Sequence, residues 1–458
     1  MMKRKSLGMV LAAGIVLTAG SVQAASAVTP TLAPVVQNHG YADSKLLKKI
    51  SADNMYNTIE MLSKQPREAG TEGELKAVKY IESEFKKLGY QTKIQPFPIY
   101  DYQTNHVFVK IGDQDFEGTP HAFSGSASGK VTAPLVFAGK ATVEEVGEDV
   151  KGKIALVERG DIPFVEKIAN VLAKGAVGVL MYNSAPEGSE FGQAGEGQNI
   201  PAVAIGRTEG LKLAEQVKAG EVSVSLDVDV EKIEKTSYNV IAHMKAKTKK
   251  PTGQIITVGA HHDSVPGGPG ANDDASGVSA VLELARVFAK EKTDTDIRFL
   301  TFGSEERGLV GSSYYAASLP KSDVENMVAH FQMDMIGGRD AGKDKPAGGL
   351  IMYTIDGKKN LVTDLGAESS YDIFNQVIPY GQLGRSDHQP FHELGIPSAL
   401  FIHSPVEPWY HQPTDTIDKI DKKKLLQVAK IVGSSVYEIA DPKTPAIIKY
   451  PFEDRAVD

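Results

Sequence analysis

The sequence predicts an α/β protein with a mostly parallel central sheet, helices on both faces of that sheet, and a separate β-rich module inserted into it. From Tyr238 onward, strand-like and helix-like patterns alternate along the chain. Between about Gly118 and Lys235 the texture changes to short β-branched runs punctuated by glycine. The length of 458 residues is greater than that of a typical single domain, which has roughly 100–200 residues, so we expect two or three folded units.

The C-terminal part contains four hydrophobic strand patterns, at residues 255–258, 297–302, 327–333 and 398–402. Helical patterns at residues 276–290 and 422–440 accompany them. This alternation is typical of a mostly parallel sheet covered by helices. Ligands bind such sheets at the carboxyl ends of the strands, so we expect functional residues there.

Two helical patterns and one long strand precede the inserted module, and the second helical pattern is the clearer. Leu75, Val78, Ile81 and Phe85 recur at helical spacing, and Gly89 stands at the position of a C-terminal cap. From Gln91 to about residue 111 the pattern becomes strand-like.

The inserted module has strand patterns at residues 133–137, 153–157, 178–182 and 202–205, with one helix-like stretch at 165–174. It contains one histidine, His121, and no close cluster of histidine with carboxylates. We therefore expect no catalytic chemistry in it. The predicted divisions are 41–117 and 236–458 for the two parts of the α/β domain, and 118–235 for the module.

The N-terminus has the pattern of a secretory signal over residues 1–24, followed by a leader or linker over 25–40. Basic residues at positions 3–5 precede an apolar run over 7–20, and Val22, Gln23 and Ala24 form a small-residue cleavage site. A membrane anchor is the alternative, but the run is shorter than the roughly 20 residues that span a bilayer. The pattern predicts a secreted, extracellular protein that is free of the membrane once the signal is removed.

Composition excludes several classes of site. The chain has no cysteine, which rules out disulfides, zinc-thiolate centres and thiol nucleophiles. The formal charge of −8 without a long basic run argues against a nucleic-acid partner. The glycine-rich segment 266–270 lacks the lysine and hydroxyl residue of a phosphate loop, and no Gly-x-Ser-x-Gly elbow with a matching triad indicates a serine hydrolase.

Histidines and carboxylates follow the predicted strands of the C-terminal part. His261, His262 and Asp263 follow the first strand, Glu305 and Glu306 the second, and Asp334 the third, while His411 lies after the fourth and Asp273 and Asp274 open a helix. Such a set without sulfur suits zinc, and also manganese or cobalt. Two ions about 3.5–4 Å apart need a bridging carboxylate, for which we choose Asp273.

Neighbouring residues suggest how these side chains divide their roles. Residues two apart in an extended segment point to the same side, so Asp263 can accept a hydrogen bond from the His261 ring and fix its tautomer. Adjacent glutamates in extended backbone point in different directions. We therefore expect Glu306 to bind metal and Glu305 to act as a general base.

The region from about residue 41 to 440, apart from the insert, resembles the M28 family of zinc aminopeptidases, which have a zinc exopeptidase-like fold. The resemblance rests on six stretches in the family's order, at residues 259–265, 272–277, 303–309, 333–337, 384–391 and 410–411. The inserted module resembles the protease-associated (PA) domain. One departure is His262, where relatives often carry an apolar residue.

The resemblance implies a role for each matching residue. His261 and Asp334 would hold one zinc ion, Glu306 and His411 a second, and Asp273 would bridge them. Glu305 would be the base, and Arg385 and Tyr410 would help to stabilise the tetrahedral intermediate.

The implied enzyme hydrolyses the N-terminal bond of peptides with a free N-terminus by metal-activated water, with two zinc ions per chain, and we expect a monomer. An additional calcium site is left open. The alternatives on the same fold are a zinc carboxypeptidase, a glutaminyl-cyclase-like enzyme with a single zinc, and a non-catalytic receptor-like protein.

Several of these residues also have plain structural interpretations. Taken one at a time, the histidines near this edge are more typical of satisfied structural residues than of ligands; they are His262, His330, His388, His392 and His403. His388 would replace His411 if His411 were not a ligand. Alone, Asp273–Asp274 would be a helix cap and Glu305–Glu306 a solvated turn. Tyr410 could serve packing, and Arg385 a salt bridge.

Overall fold

The structure is a computed structural model that describes residues 44–184, 199–342, 348–444 and 446–447. The described chain forms two compact units. We call residues 100–235 the inserted unit, and residues 44–99 with 236–447 the α/β unit. The predicted signal and leader, residues 1–24 and 25–40, lie outside the described residues. The domain boundaries placed at 117–118 and 235–236 stay predictions.

The strands are β1 Gln91–Ile111, β2 Gln114–Asp115, β3 His121–Ala122, β4 Gly129–Phe137, β5 Ile154–Glu158, β6 Gly178–Tyr182, β7 Ala202–Ile205, β8 Ser223–Met244, β9 Ile255–His261, β10 Asp296–Phe302, β11 Met327–Met333, β12 Gly349–Thr354, β13 Tyr380–Gln382 and β14 Ser398–Ser404. The α-helices are α1 Ser44–Leu47, α2 Ala52–Leu62, α3 Glu72–Lys87, α4 Phe164–Ala173, α5 Arg207–Ala219, α6 Ala275–Phe288, α7 Val310–Ala317, α8 Lys321–Asn326, α9 Leu361–Phe374, α10 His388–Glu393 and α11 Lys422–Ala440. Short 3-10 helices occupy Glu148–Val150 and Ile417–Lys419. No helix among the described residues is long and apolar enough to cross a membrane.

The sheet of the α/β unit is mostly parallel, as predicted. Its strands run in the order β13, β12, β14, β11, β9, β10 and the last part of β8. Strand β9 pairs in parallel with β10 and β11, β11 with β14, and β12 with β13. The pairings of β10 with β8 and of β12 with β14 are antiparallel.

Helices cover both faces of this sheet. Alternate residues of each strand point to opposite sides, and apolar residues on both sides pack against helices. Ile256 and Val258 of β9 belong to a core shared with helices α2, α3, α6, α9 and α11. Ile255, at the start of the same strand, belongs to a second core with Tyr315 of α7 and Phe391 of α10. Helix α6 is buried along almost its whole length. The edge of the sheet is therefore the accessible place for a site.

The inserted unit has its own sheet and two cores. From the first part of β8 the order is β8, β4, β5, β6, β7 and β3. Strands β4 to β7 are parallel, whereas β8 with β4 and β3 with β7 are antiparallel. Helix α4 matches the predicted helix closely. Helix α5 was not predicted, because only Gly210, Leu213 and Ala214 of it are buried and its apolar stripe is correspondingly narrow.

Candidate metal centre

The candidate residues lie at one edge of the sheet of the α/β unit. Strands β9, β10 and β11 are parallel neighbours, so their carboxyl ends meet there. His261 is the last residue of β9, and Asp334 directly follows β11. Glu305 and Glu306 follow β10 by a short turn. His411 comes from the loop after β14.

Two groups of possible metal ligands share Asp273. The first contains His261, Asp273 and Asp334, and the second contains Asp273, Glu306 and His411; in each, the ligand atoms lie within 4.8 Å of one another. Asp273 Oδ1 is 3.1 Å from His261 Nε2, and Asp273 Oδ2 is 3.2 Å from His411 Nε2. The two oxygens of one carboxylate thus face two different groups.

The remaining contacts and the unsatisfied atoms fit a pair of cations. Glu306 Oε2 lies 3.0 Å from His411 Nε2, and Asp334 Oδ1 lies 3.6 Å from His261 Nε2. Glu306 Oε1 and Asp334 Oδ1 are buried without a hydrogen-bond partner. A buried polar atom without a partner is costly, and coordination of a cation would satisfy both oxygens. Nitrogen and oxygen donors without sulfur suit zinc.

The pKa values of the clustered side chains are also consistent with a site for cations. Burial and the nearby Asp273 raise the pKa of Glu306 to about 7. The pKa of Glu305 is raised well above its ordinary value, first by burial, which outweighs the attraction of His261. Hydrogen bonds to Asp273 and Glu306 outweigh burial and raise the pKa of His411 to about 10. Metal ligands bind in their deprotonated forms, so a cation bound here would displace the protons that these raised pKa values favour, such as that of His411.

Asp263 contacts the His261 ring and the backbone amides of Glu305 and Glu306. Its Oδ1 lies 3.4 Å from His261 Nδ1, which has no hydrogen-bond partner among the described residues, so the predicted orienting hydrogen bond stays a prediction. It also accepts backbone hydrogen bonds, with Oδ1 receiving one from Glu305 at 3.1 Å and Oδ2 one from Glu306 at 3.3 Å. The structure corrects one expectation: the glutamates lie in a turn, not in extended backbone. Ser304 before them has a φ of 57°, and Gly308 and Leu309 donate to the Glu305 carbonyl.

The side chains of the two glutamates nevertheless diverge. Glu306 Oε2 faces His411, whereas Glu305 Oε2 lies 4.0 Å from His261 Nε2. Glu305 is 6% exposed. The turn therefore directs one glutamate to each group.

Sequence reasoning missed the part that Asp274 plays. As the N-cap of α6 it accepts a hydrogen bond from the Gly277 amide at 2.7 Å. It also accepts from the amides of His261 and Met335, both at 3.2 Å. One buried carboxylate thus joins the start of a helix to the ends of two strands. The sequence predicts only that the two adjacent aspartates open a helix, and it assigns no separate role to Asp274.

Arg67 was missed entirely. Its guanidinium is 1% exposed and donates to the carbonyls of Leu62, His262, Pro269 and Gly270. These bonds hold the segment after β9 and the turn that leads to Asp273. A single arginine beside Pro66 carries no local signal that separates it from a solvated surface arginine.

Tyr410 and Arg385 differ in their placement. The Tyr410 ring stacks on the His411 ring with centroids 3.7 Å apart. Burial raises the Tyr410 pKa well beyond its ordinary range. Arg385 is exposed, and the described structure gives its guanidinium no hydrogen bond or ion pair. The next residue, Ser386, donates its hydroxyl to Asp334 Oδ2 at 3.0 Å.

The competing histidines have other partners. His388 Nε2 contacts the Leu383 carbonyl at 3.0 Å, and burial lowers the His388 pKa to about 4. His262 Nδ1 contacts Thr301 Oγ1 at 3.1 Å, pointing into packing as expected. His330 stacks on Phe391. Neither these three histidines nor His392 and His403 belong to a ligand group among the described residues.

The chain is similar to a known peptidase family and to known aminopeptidases. The profile of peptidase family M28 matches residues 239–436, and that of the PA domain matches residues 131–213. Aminopeptidase YwaD of Bacillus subtilis (strain 168) is 36% identical, over 95% of this chain and 94% of the relative.

Solved structures give the same result. The aminopeptidase from Aneurinibacillus sp. strain AM-1 is 50% identical with a TM-score of 0.77, covering 90% of this chain and 98% of that chain. BSAP, a zinc aminopeptidase from Bacillus subtilis, is 37% identical with a TM-score of 0.65, covering 85% and 95%. The six motif stretches, the mostly parallel sheet and these similarities agree, and the chain belongs to peptidase family M28 as a metallo-aminopeptidase with a PA domain.

Proposed function

We propose that the α/β unit binds two zinc ions and hydrolyses the N-terminal peptide bond of peptides with a free amino group. His261 and Asp334 would hold one ion and Glu306 and His411 the other, with Asp273 between them. The observation that carries the proposal is the Asp273 carboxylate, whose oxygens lie 3.1 and 3.2 Å from histidines of two different groups. The similar zinc aminopeptidase BSAP supports zinc as the metal.

The residues around the ligands account for the chemistry. When bound, the zinc ions would polarise the peptide carbonyl, activate water and lower the pKa of nearby carboxyls. Glu305 then takes a proton from the attacking water and delivers it to the amine nitrogen as the carbon–nitrogen bond breaks. Asp263 keeps Glu305 in place through the Glu305 amide and keeps the His261 ring oriented.

Two further residues act on the tetrahedral intermediate. A tyrosine, with an ordinary pKa of about 10, keeps its hydroxyl proton at neutral pH, so Tyr410, stacked on His411, can donate a hydrogen bond to the developing oxyanion. Arg385 carries an exposed guanidinium next to Ser386, the partner of Asp334, and we assign it an electrostatic role. The loop positions of both residues suit contact with substrate.

The cyclase-like and receptor-like alternatives receive less support. A cyclase-like site needs a single zinc, whereas the described residues offer two ligand groups. A receptor-like protein would be expected to lack ligands, and each residue of the predicted set is present. The two-group arrangement therefore favours the hydrolase.

Export is part of the proposal. It is supported by the basic, apolar and small-residue pattern of residues 1–24. A monomer remains the expectation from the sequence, and an additional calcium site remains an open alternative.

The test compares aminoacyl anilides with a free amino group against the same compounds N-acetylated, on purified zinc-loaded protein. We expect cleavage of the free compounds alone. Glu305→Gln should lower kcat by about 10²–10⁴-fold while zinc content stays at two per chain. Glu60→Gln, at an exposed position of α2, is the matched control and should leave kcat unchanged.

Either of two results would count against the proposal. Cleavage of the N-acetylated compounds at a similar rate would remove the requirement for a free N-terminus. A Glu305→Gln variant with near wild-type kcat would remove Glu305 as the base.

A further inference from the structure

Asp415 lies outside both ligand groups but connects the segments that carry two of their members. It follows His411 by four residues, and its side chain is 2% exposed. The turn between them is closed by a hydrogen bond from the Asp415 amide to the Gln412 carbonyl at 3.0 Å. Asp415 therefore moves with the loop that carries His411.

On its other side Asp415 accepts hydrogen bonds from three consecutive amides. Its carbonyl accepts from Ala271 at 3.1 Å. Its carboxylate Oδ1 accepts from Asn272 at 2.9 Å, and Oδ2 accepts from Asp273 at 3.0 Å. A buried amide without a partner is costly, so the backbone from 271 to 273 is held where Asp415 places it.

These bonds bear directly on the ligand geometry. The second group needs Asp273 from the segment before α6 and His411 from the loop after β14, with Asp273 Oδ2 and His411 Nε2 only 3.2 Å apart. The two residues are far apart in sequence, and Asp415 joins their segments through a single buried side chain. The same bonds also place Asp273 Oδ1 against His261, in the first group.

We propose that Asp415 is a positioning residue for the metal centre: it fixes the backbone of Asp273 relative to the loop that carries His411. The inference rests on the proposed metal-bridging role of Asp273. A carboxylate suits this position because both of its oxygens accept: the Asn272 amide lies 2.9 Å from Oδ1 and 3.1 Å from Oδ2, and the Asp273 amide donates to Oδ2. An asparagine has one acceptor oxygen and an NH₂ group, which would face an amide donor.

The test measures zinc affinity of the full chain by competition with a chromophoric chelator. Asp415→Asn is expected to raise the apparent dissociation constant for zinc about tenfold or more. At saturating zinc it should recover most of its kcat. The control is Asp296→Asn, at the opposite end of β10, where Asp296 accepts from the Ala246 amide at 2.8 Å. This control makes the same change of a partly buried carboxylate in the same unit, where the remaining oxygen can still accept from the Ala246 amide, and it should keep wild-type zinc affinity.

The outcomes separate the inference from the proposed function. Unchanged zinc affinity in Asp415→Asn, or an equal loss in Asp296→Asn, overturns the positioning role alone. A wild-type stoichiometry below two zinc ions refutes the proposed function and the inference with it. If Asp415→Asn does not fold, Asp415→Glu carries the same test, because the added methylene displaces Asp273 while both oxygens and the charge remain.

Discussion

Replacement of Arg67 by methionine should strongly destabilise the α/β unit. Arg67 donates to four backbone carbonyls, among them His262 at 2.7 Å and Gly270 at 2.9 Å. Hydrogen bonds from a charged donor contribute about 1.5–3 kcal/mol each, so four contribute about 6–12 kcal/mol. Relief of the desolvation of the buried guanidinium offsets several kcal/mol of this. A net loss of about 3–5 kcal/mol in the free energy of unfolding remains.

The assay is thermal unfolding by scanning calorimetry in the presence of EDTA, so that altered metal binding does not contribute. For a unit of this size each kcal/mol lowers Tm by about 2 °C, so Arg67→Met should lower it by about 6–10 °C. Arg286→Met is the control. Arg286 is half-buried, pairs with the buried Glu283 at 2.8 Å and donates to the Lys49 carbonyl, so it has one backbone partner where Arg67 has four.

A Tm for Arg67→Met that is no lower than that of Arg286→Met would refute the reasoning. It would mean that the four carbonyls find other partners without Arg67, or that the guanidinium desolvation cancels its bonds.

Three further predictions concern the metal centre and its surroundings. Asp273→Asn should weaken zinc binding at both sites, because each oxygen of Asp273 faces a different group; elemental analysis showing one site at full affinity would contradict this. His388→Asn should keep two zinc ions per chain by the same analysis, because His388 Nε2 contacts the Leu383 carbonyl; loss of an ion would make His388 a ligand. Burial lowers the pKa of His403 from 6.5 to about 4. Because the unfolded chain then binds the proton more tightly, His403 costs no stability above pH 6.5 and destabilises the fold by about 3 kcal/mol as pH falls from 6.5 to 4. In urea titrations, the free energy of unfolding of His403→Gln should fall less between pH 6.5 and 4 than that of the wild type. An equal fall in both proteins would contradict the lowered pKa of His403.

Much of the fold was predictable because burial imposes a local period on the sequence. Strand β11 and helix α11 have the predicted bounds, and Leu88 caps α3 with Gly89 after it at a φ of 85°. Helix α9 was not predicted. Its buried face contains Gly366, Ser369 and Ser370, which carry little of the apolar signal on which a sequence pattern depends.

The identity of the candidate ligands was also accessible from sequence, because histidines and carboxylates at strand ends are unusual and occur in the family's order. Their division into two groups was an expectation from resemblance. That Asp273 turns one oxygen to each group is a matter of distances between side chains from separate strands. The spacing of residues along the sequence does not predict these distances.

The chain's local patterns were sufficient for its α/β class, its mostly parallel sheet and the edge at which a site would form. Tertiary structure alone decided which residues hold that site in place. Arg67 bonds to Gly270 across 203 positions, and Asp415 to Asn272 across 143. Periodicity reports only how a residue is buried within its own element. The partner of a buried charge depends on how distant segments pack, and a single sequence does not encode that packing as a local signal.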